Sequence, residues 1–152
     1  MKIHIENRQK KVKLDRRYIR SIINRLGNIL KCADKEISLL FIDNEQIREM
    51  NRQYLGRDYP TNVISFPLQE GDFCEINPRI LGDIVISAER ALQDAAVGDL
   101  TFEDEIDFLM IHGLLHLLGY DHENGNESDA ITMKDKEDDL FFVLHGYEIV
   151  HS

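Results

Sequence analysis

The run His112-Gly113-Leu114-Leu115-His116-Leu117-Leu118-Gly119-Tyr120-Asp121-His122 constrains this chain more than any other stretch. Three of the six histidines fall within eleven residues, spaced H-x3-H-x5-H. Residues four apart on a helix share one face, one turn from each other. His112 and His116 therefore project side by side if the segment is helical. Gly119 stands where such a helix can stop, since glycine takes the left-handed conformation that terminates helices. The chain can then turn back and bring His122 to the same point. Three imidazoles with an open fourth position are the plan of a catalytic zinc site. A lone histidine on an apolar face is ordinarily a core residue, but three at this spacing around a glycine are better read as ligands of one Zn2+ per chain.

The flanking pattern supports that helix. Thr101, followed three residues on by Asp104, resembles a capping box, and the helix it opens runs from about Phe102 to Leu118. Ile106, Leu109, Met110, Leu114 and Leu117 make it apolar over much of its surface, which predicts a central, buried element. Before it, residues 2–6 alternate as a half-exposed strand, and a helix starts at Asp15. A strand is predicted over 36–42, then a helix capped by Asp43 or Asn44 and closed by Gly56. Short strands follow at 62–66 and 83–86, and Ser87 caps a helix that ends at Gly98. Residues 68–80 read as a loop, with an extended piece at about 73–76. A last helix is expected over 128–145. The interleaving predicts an α+β fold of one domain over residues 1–152. Its small mixed sheet of about four strands is covered by helices around a central metal-binding, zincin-like helix.

Charge is unevenly spread over a net −10. Residues 1–50 hold twelve Lys/Arg against seven Asp/Glu, and residues 99–152 hold two against fourteen. The basic stretch from Arg8 to Arg17 is a candidate phosphate contact, while the histidine-bearing third is strongly acidic. No apolar run approaches the roughly 20 residues that span a bilayer, so no membrane partner is expected. The first residues lack a signal peptide's apolar core. Cys32 and Cys74 have no metal-ligand spacing and read as buried free thiols. A cytoplasmic protein is the expectation.

Two further stretches, Asn51-Arg52-Gln53-Tyr54-Leu55-Gly56-Arg57-Asp58-Tyr59-Pro60-Thr61-Asn62-Val63-Ile64-Ser65-Phe66-Pro67 and Leu81-Gly82-Asp83-Ile84-Val85-Ile86-Ser87, join the histidine run. Together they resemble the YbeY family of single-strand-specific metallo-endoribonucleases in ribosomal RNA maturation. Residues 112–122 match the family's H-G-x-L-H-x-x-G-Y-D-H at every fixed position, and Met133 and Glu137 match its M-x-x-x-E element. The resemblance implies His112, His116 and His122 as zinc ligands and a mainly parallel sheet. It also implies single-stranded rRNA as substrate, 16S rRNA 3′-end maturation and ribosome quality control as the setting, and a ribosomal subunit or ribosomal proteins as partners. One departure stands out. The family's Y-R-G-K-D segment has arginine where this chain has Leu55, and Arg57 is the candidate substitute.

The same histidine spacing occurs in metzincin proteases, which carry a general-base glutamate after the first histidine. Here Gly113 occupies that position, which counts against the familiar peptidase route. Asp121 is the nearest carboxylate in sequence. It is read as accepting the remaining N–H of a ligating histidine rather than as the general acid or base. A metal-dependent hydrolase of another substrate, metalloprotease-like, and a non-catalytic zinc-containing ribosome-associated module are the alternatives. An open fourth coordination position favours catalysis over a structural site. If RNA is the substrate, the first helix and residues 52–57 should line the approach to the metal.

Overall fold

The computed structural model describes residues 1–68, 79–120 and 127–149, with residues 127–131 given by their backbone alone. The predicted extended piece at 73–76, and Cys74, lie outside the described residues. Four strands, β1 (Lys2–Asn7), β2 (Glu36–Ile42), β3 (Val63–Pro67) and β4 (Ile80–Ser87), form one sheet in the order β1-β2-β4-β3. β1 pairs with β2 and β2 with β4 in parallel, while β3 runs antiparallel to β4. The helices of the described residues are α1 (Arg16–Ile29), α2 (Asn44–Leu55), α3 (Ala88–Val97), α4 (Phe102–Leu117) and α5 (Glu127–His145). The architecture is therefore α+β with a mixed, mainly parallel sheet, as expected. β4 begins earlier than the apolar run at 83–86 implied. A register shift between Glu36 and Ile37 pairs them with Ile80 and Gly82 and leaves Leu81 as the extra residue of a bulge.

Local chemistry sets the helix starts. The side chains of Asp15, Asp43, Ser87 and Thr101 each accept an N–H from the first turn of the helix they precede, satisfying donors that have no partner within the helix. Of these four helices only α2 shows the reciprocal box, with Gln46 accepting the Asp43 N–H at 2.9 Å. At α4, the Asp104 carboxylate instead accepts the Tyr147 hydroxyl at 2.5 Å.

Strand alternation divides the sheet into two faces. Ile3, Ile37, Leu39, Phe41, Ile84 and Ile86 enter the main core, together with the buried sides of α1, α4 and α5. α4 packs against β3, β4, α1, α3 and α5. That enclosure is why ten of its positions, from Asp104 through Gly113, are buried or nearly so. The other face carries a smaller cluster of Ile42, Ile64 and Val85, covered by Ile47 of α2. Beyond α2 a cavity of about 520 Å³ remains, lined by His4, Ser38, Met50, Tyr54, Phe66 and Asp83 among others. Burial raises the Asp83 carboxyl there, against the lowering effect of its hydrogen bond with Ser38.

Candidate metal centre

The helix predicted from histidine spacing is present, and it does what the spacing requires. His112 and His116 lie one turn apart on α4, with their Nε2 atoms 3.1 Å apart. The rings meet edge to face, with centroids 4.6 Å apart. Phe108, one turn earlier, stacks over His112 with centroids 6.4 Å apart and planes 26° apart. α4 ends at Leu117, and Gly119 follows at φ +100°, the left-handed turn anticipated for it. Both histidines are only partly buried on an otherwise buried helix.

The donor set fits zinc. A tetrahedral zinc with Zn–N bonds of about 2.0–2.1 Å holds its nitrogens about 3.3–3.4 Å apart. The observed Nε2 separation of 3.1 Å is within a few tenths of an ångström of that edge. Two uncharged imidazoles suit zinc, and they equally suit other first-row divalent ions. Among the described residues no group of three metal-donating side chains converges. His122, the third predicted ligand, and Asp121 lie outside the described residues.

Gly113 faces the sheet. A Cβ placed on it would stand 2.8 Å from Ile84 Cγ2 of β4 and 3.1 Å from Ile84 Cδ1. The close approach of α4 to the sheet therefore depends on the missing side chain, and a glutamate at this position would push the helix off β4. The Ser65 hydroxyl of β3 reaches the Gly113 carbonyl at 3.4 Å on the same side.

In the sequence Glu137 stands only as the end of the M-x-x-x-E element, with no role assigned by it. The structure places its Oε1 2.6 Å from His112 Nδ1, with the Glu137 side chain 9% exposed. A signal for it existed. Met133, Glu137, Leu140 and Leu144 lie on one buried stripe of α5, and a carboxylate among those apolar positions needs a partner. The identity of that partner was out of reach, because twenty-five residues separate the two side chains.

The candidate substrate-handling residues lie on α2, on the turn after it and on the segment leading into α1. Arg57 lies on the exposed turn after Gly56, its N–H bonded to the Asn51 carbonyl at 3.3 Å. Buried Asn51 donates to the Tyr59 carbonyl at 2.9 Å, which ties this turn to α2 before the chain enters β3. Leu55 is exposed beside Tyr54. Lys11 and Lys13 of the basic stretch face α3 and the start of α4. Lys11 pairs with Glu89 of α3 at 3.1 Å, and Lys13 shares a small cavity with Phe102 and Glu103 at the start of α4. With a rise of about 1.5 Å per residue, that end of α4 is roughly 13 Å from His112 along the helix. The reason is packing: Ile19, Ile22, Ile23 and Leu26 dock α1 against the core, and Tyr18 bonds Asp107 near the start of α4.

Comparison with known proteins identifies the family. A family model described as Endoribonuclease YbeY matches residues 4–145. The Endoribonuclease YbeY of Syntrophus aciditrophicus (strain SB) is 56% identical over 98% of this chain and 93% of its own length. That of Syntrophotalea carbinolica is 51% identical over 91% of this chain and 93% of its own. Among solved structures, the solution structure of TM1509 from Thermotoga maritima aligns with a TM-score of 0.62 at 26% identity, over 95% of this chain and 92% of that one. This chain belongs to the endoribonuclease YbeY family, a family of hydrolytic, RNA-cleaving enzymes.

Proposed function

We propose that this protein is a zinc-dependent endoribonuclease of single-stranded RNA, acting in 16S rRNA 3′-end maturation and ribosome quality control, with one zinc per chain held by His112, His116 and His122. Family membership supports the RNA-cleaving part of this reading. The observation that carries the metal part is the facing pair of Nε2 atoms, 3.1 Å apart on one side of α4. When bound there, zinc supplies Lewis acidity toward a phosphodiester and its attacking group. The chain's own residues then hold the imidazoles in place. Phe108 packs on His112, Gly113 lets the helix sit tight on β4, and Glu137 contacts the far nitrogen of His112. Gly113 also speaks against a metalloprotease, whose general-base glutamate would need the space that Ile84 fills. Asp121 is proposed to accept a ligand histidine's remaining N–H, and Arg57 to contact RNA in place of the family arginine. A ribosomal subunit or its proteins would bring rRNA to an acidic enzyme whose histidine-bearing third holds only two Lys/Arg.

The test is metal analysis of the purified chain followed by cleavage of single-stranded and structured RNA. The expected result is one zinc per chain and cleavage of the single-stranded substrate, with both lost in His116→Ala and cleavage abolished by a chelator. Cleavage that persists in His116→Ala and in the chelated sample comes from a contaminant and overturns the reading.

A further inference from the structure

We propose that Glu137 is a positioning residue of the metal centre, setting which nitrogen of His112 carries the proton. This inference rests on the zinc reading above. A neutral imidazole has one N–H, and the hydrogen bond made by one ring nitrogen decides the state of the other. Glu137 Oε1 lies 2.6 Å from His112 Nδ1, and a carboxylate only accepts. Nδ1 is therefore the protonated nitrogen, and Nε2 is left with a bare lone pair. Nε2 is the atom that faces His116 Nε2 at 3.1 Å. Glu137 thus presents His112 to a cation without touching the reacting atoms, because it acts on the opposite side of the ring.

The rest of α5 supports this placement. The contact pairs 112 with 137, 107 with 145 and 104 with 147 run in opposite senses, so α5 lies antiparallel to α4. His145 Nε2 meets Asp107 Oδ2 at 2.8 Å, Tyr18 donates to the same oxygen from α1, and Tyr147 donates to Asp104 at 2.5 Å. Arg25 of α1 adds a bond to the Leu144 carbonyl at 3.3 Å. These contacts fix the sliding position of α5 on α4. Glu137, two turns before His145, is thereby held opposite His112 rather than a turn above or below it.

The experiment has two readouts on the full-length chain near neutral pH. Side-chain nitrogen NMR of the metal-free protein reads the tautomer directly. His112 is expected with Nδ1 protonated and Nε2 bare; Glu137→Gln, which keeps an acceptor oxygen, retains that tautomer, and Glu137→Ala loses it. Zinc affinity by chelator competition is the second readout. Glu137→Ala is expected to weaken zinc binding about 10- to 100-fold, the usual effect of removing such a partner, and Glu137→Gln to recover much of that loss. A wild-type His112 protonated on Nε2, or an unchanged zinc affinity in Glu137→Ala, overturns the positioning role. A wild-type chain that binds no zinc defeats the zinc reading instead, while the tautomer still decides what Glu137 does. If Glu137→Ala does not fold, the wild-type tautomer and the Glu137→Gln affinity decide alone.

Discussion

Gly113 shows how much rests on one missing side chain. It lies between the two histidines and presses against Ile84, where an added Cβ would stand at 2.8 Å. Gly113→Ala gains up to about 1 kcal/mol of helix propensity but overpacks a close-fitted core, which costs about 1–3 kcal/mol. Ile84 is fully buried and branched at the contact, so the overpacking should win. The expected outcome is a net loss of stability in denaturant unfolding, largely relieved in the Ile84→Ala background. Equal or greater stability of the single variant would contradict it. At this scale the adjacency of His112 and His116 is legible in the sequence, because helix geometry turns a four-residue spacing into neighbours. The Glu137 contact was not, because it depends on where a later helix docks. Gly113 was legible as an argument against a protease, but its packing role needed the neighbouring strand.

At the scale of elements, α1, α4 and α5 meet around Asp107. Its side chain is fully buried, accepts from Tyr18 and His145 on Oδ2, and leaves Oδ1 without a partner among the described residues. Burial pushes its carboxyl up to about 6, outweighing the lowering effects of the Tyr18 and His145 contacts. A carboxyl raised above its unfolded value of about 3.9 favours the folded state when protonated. Its contribution is present below about pH 4 and is lost as pH rises to about 6. Two units correspond to at most about 3 kcal/mol. Asp107→Asn removes that titration. Its stability relative to wild type should therefore rise between pH 4 and pH 6 and level off above; a difference that stays flat across this window would contradict the assignment. The Asp104 contact pushes the Tyr147 hydroxyl up to about 12. The helices themselves were readable from caps and periodicity. Their shared polar knot was not, since acids near the N-terminus of an apolar helix also fit an exposed first turn that complements the helix dipole.

For the molecule as a whole, strand order and docking decide which charges lie near the α4 histidines. By charge alone, the basic stretch is a candidate to line the RNA path to the histidines. The packing of α1 sends it to the other end of α4, with Lys11 tied to Glu89. Strand order β1-β2-β4-β3 and the half-covered second sheet face are equally non-local, and no spacing along the chain encodes them. The arginines of α2 are committed to near neighbours, Arg48 to Asp58 at 2.9 Å and Arg52 to Glu49. Exposed pairs of this kind are weak, so they can be traded for phosphates. Arg57→Ala should reduce the slope of log RNA affinity against log salt by about one, and charge reversal at Lys13 and Arg17 should leave it unchanged. The opposite pattern would return the basic stretch to the substrate path.

The central claim is that the α4 histidines hold a single zinc through imidazole nitrogen. X-ray absorption at the zinc edge of the purified full-length chain tests it most directly. The expected result is zinc with nitrogen neighbours at about 2.0–2.1 Å, and loss of that signal in His116→Ala. A sulfur shell at about 2.3 Å, or a spectrum unchanged by His116→Ala, would contradict it.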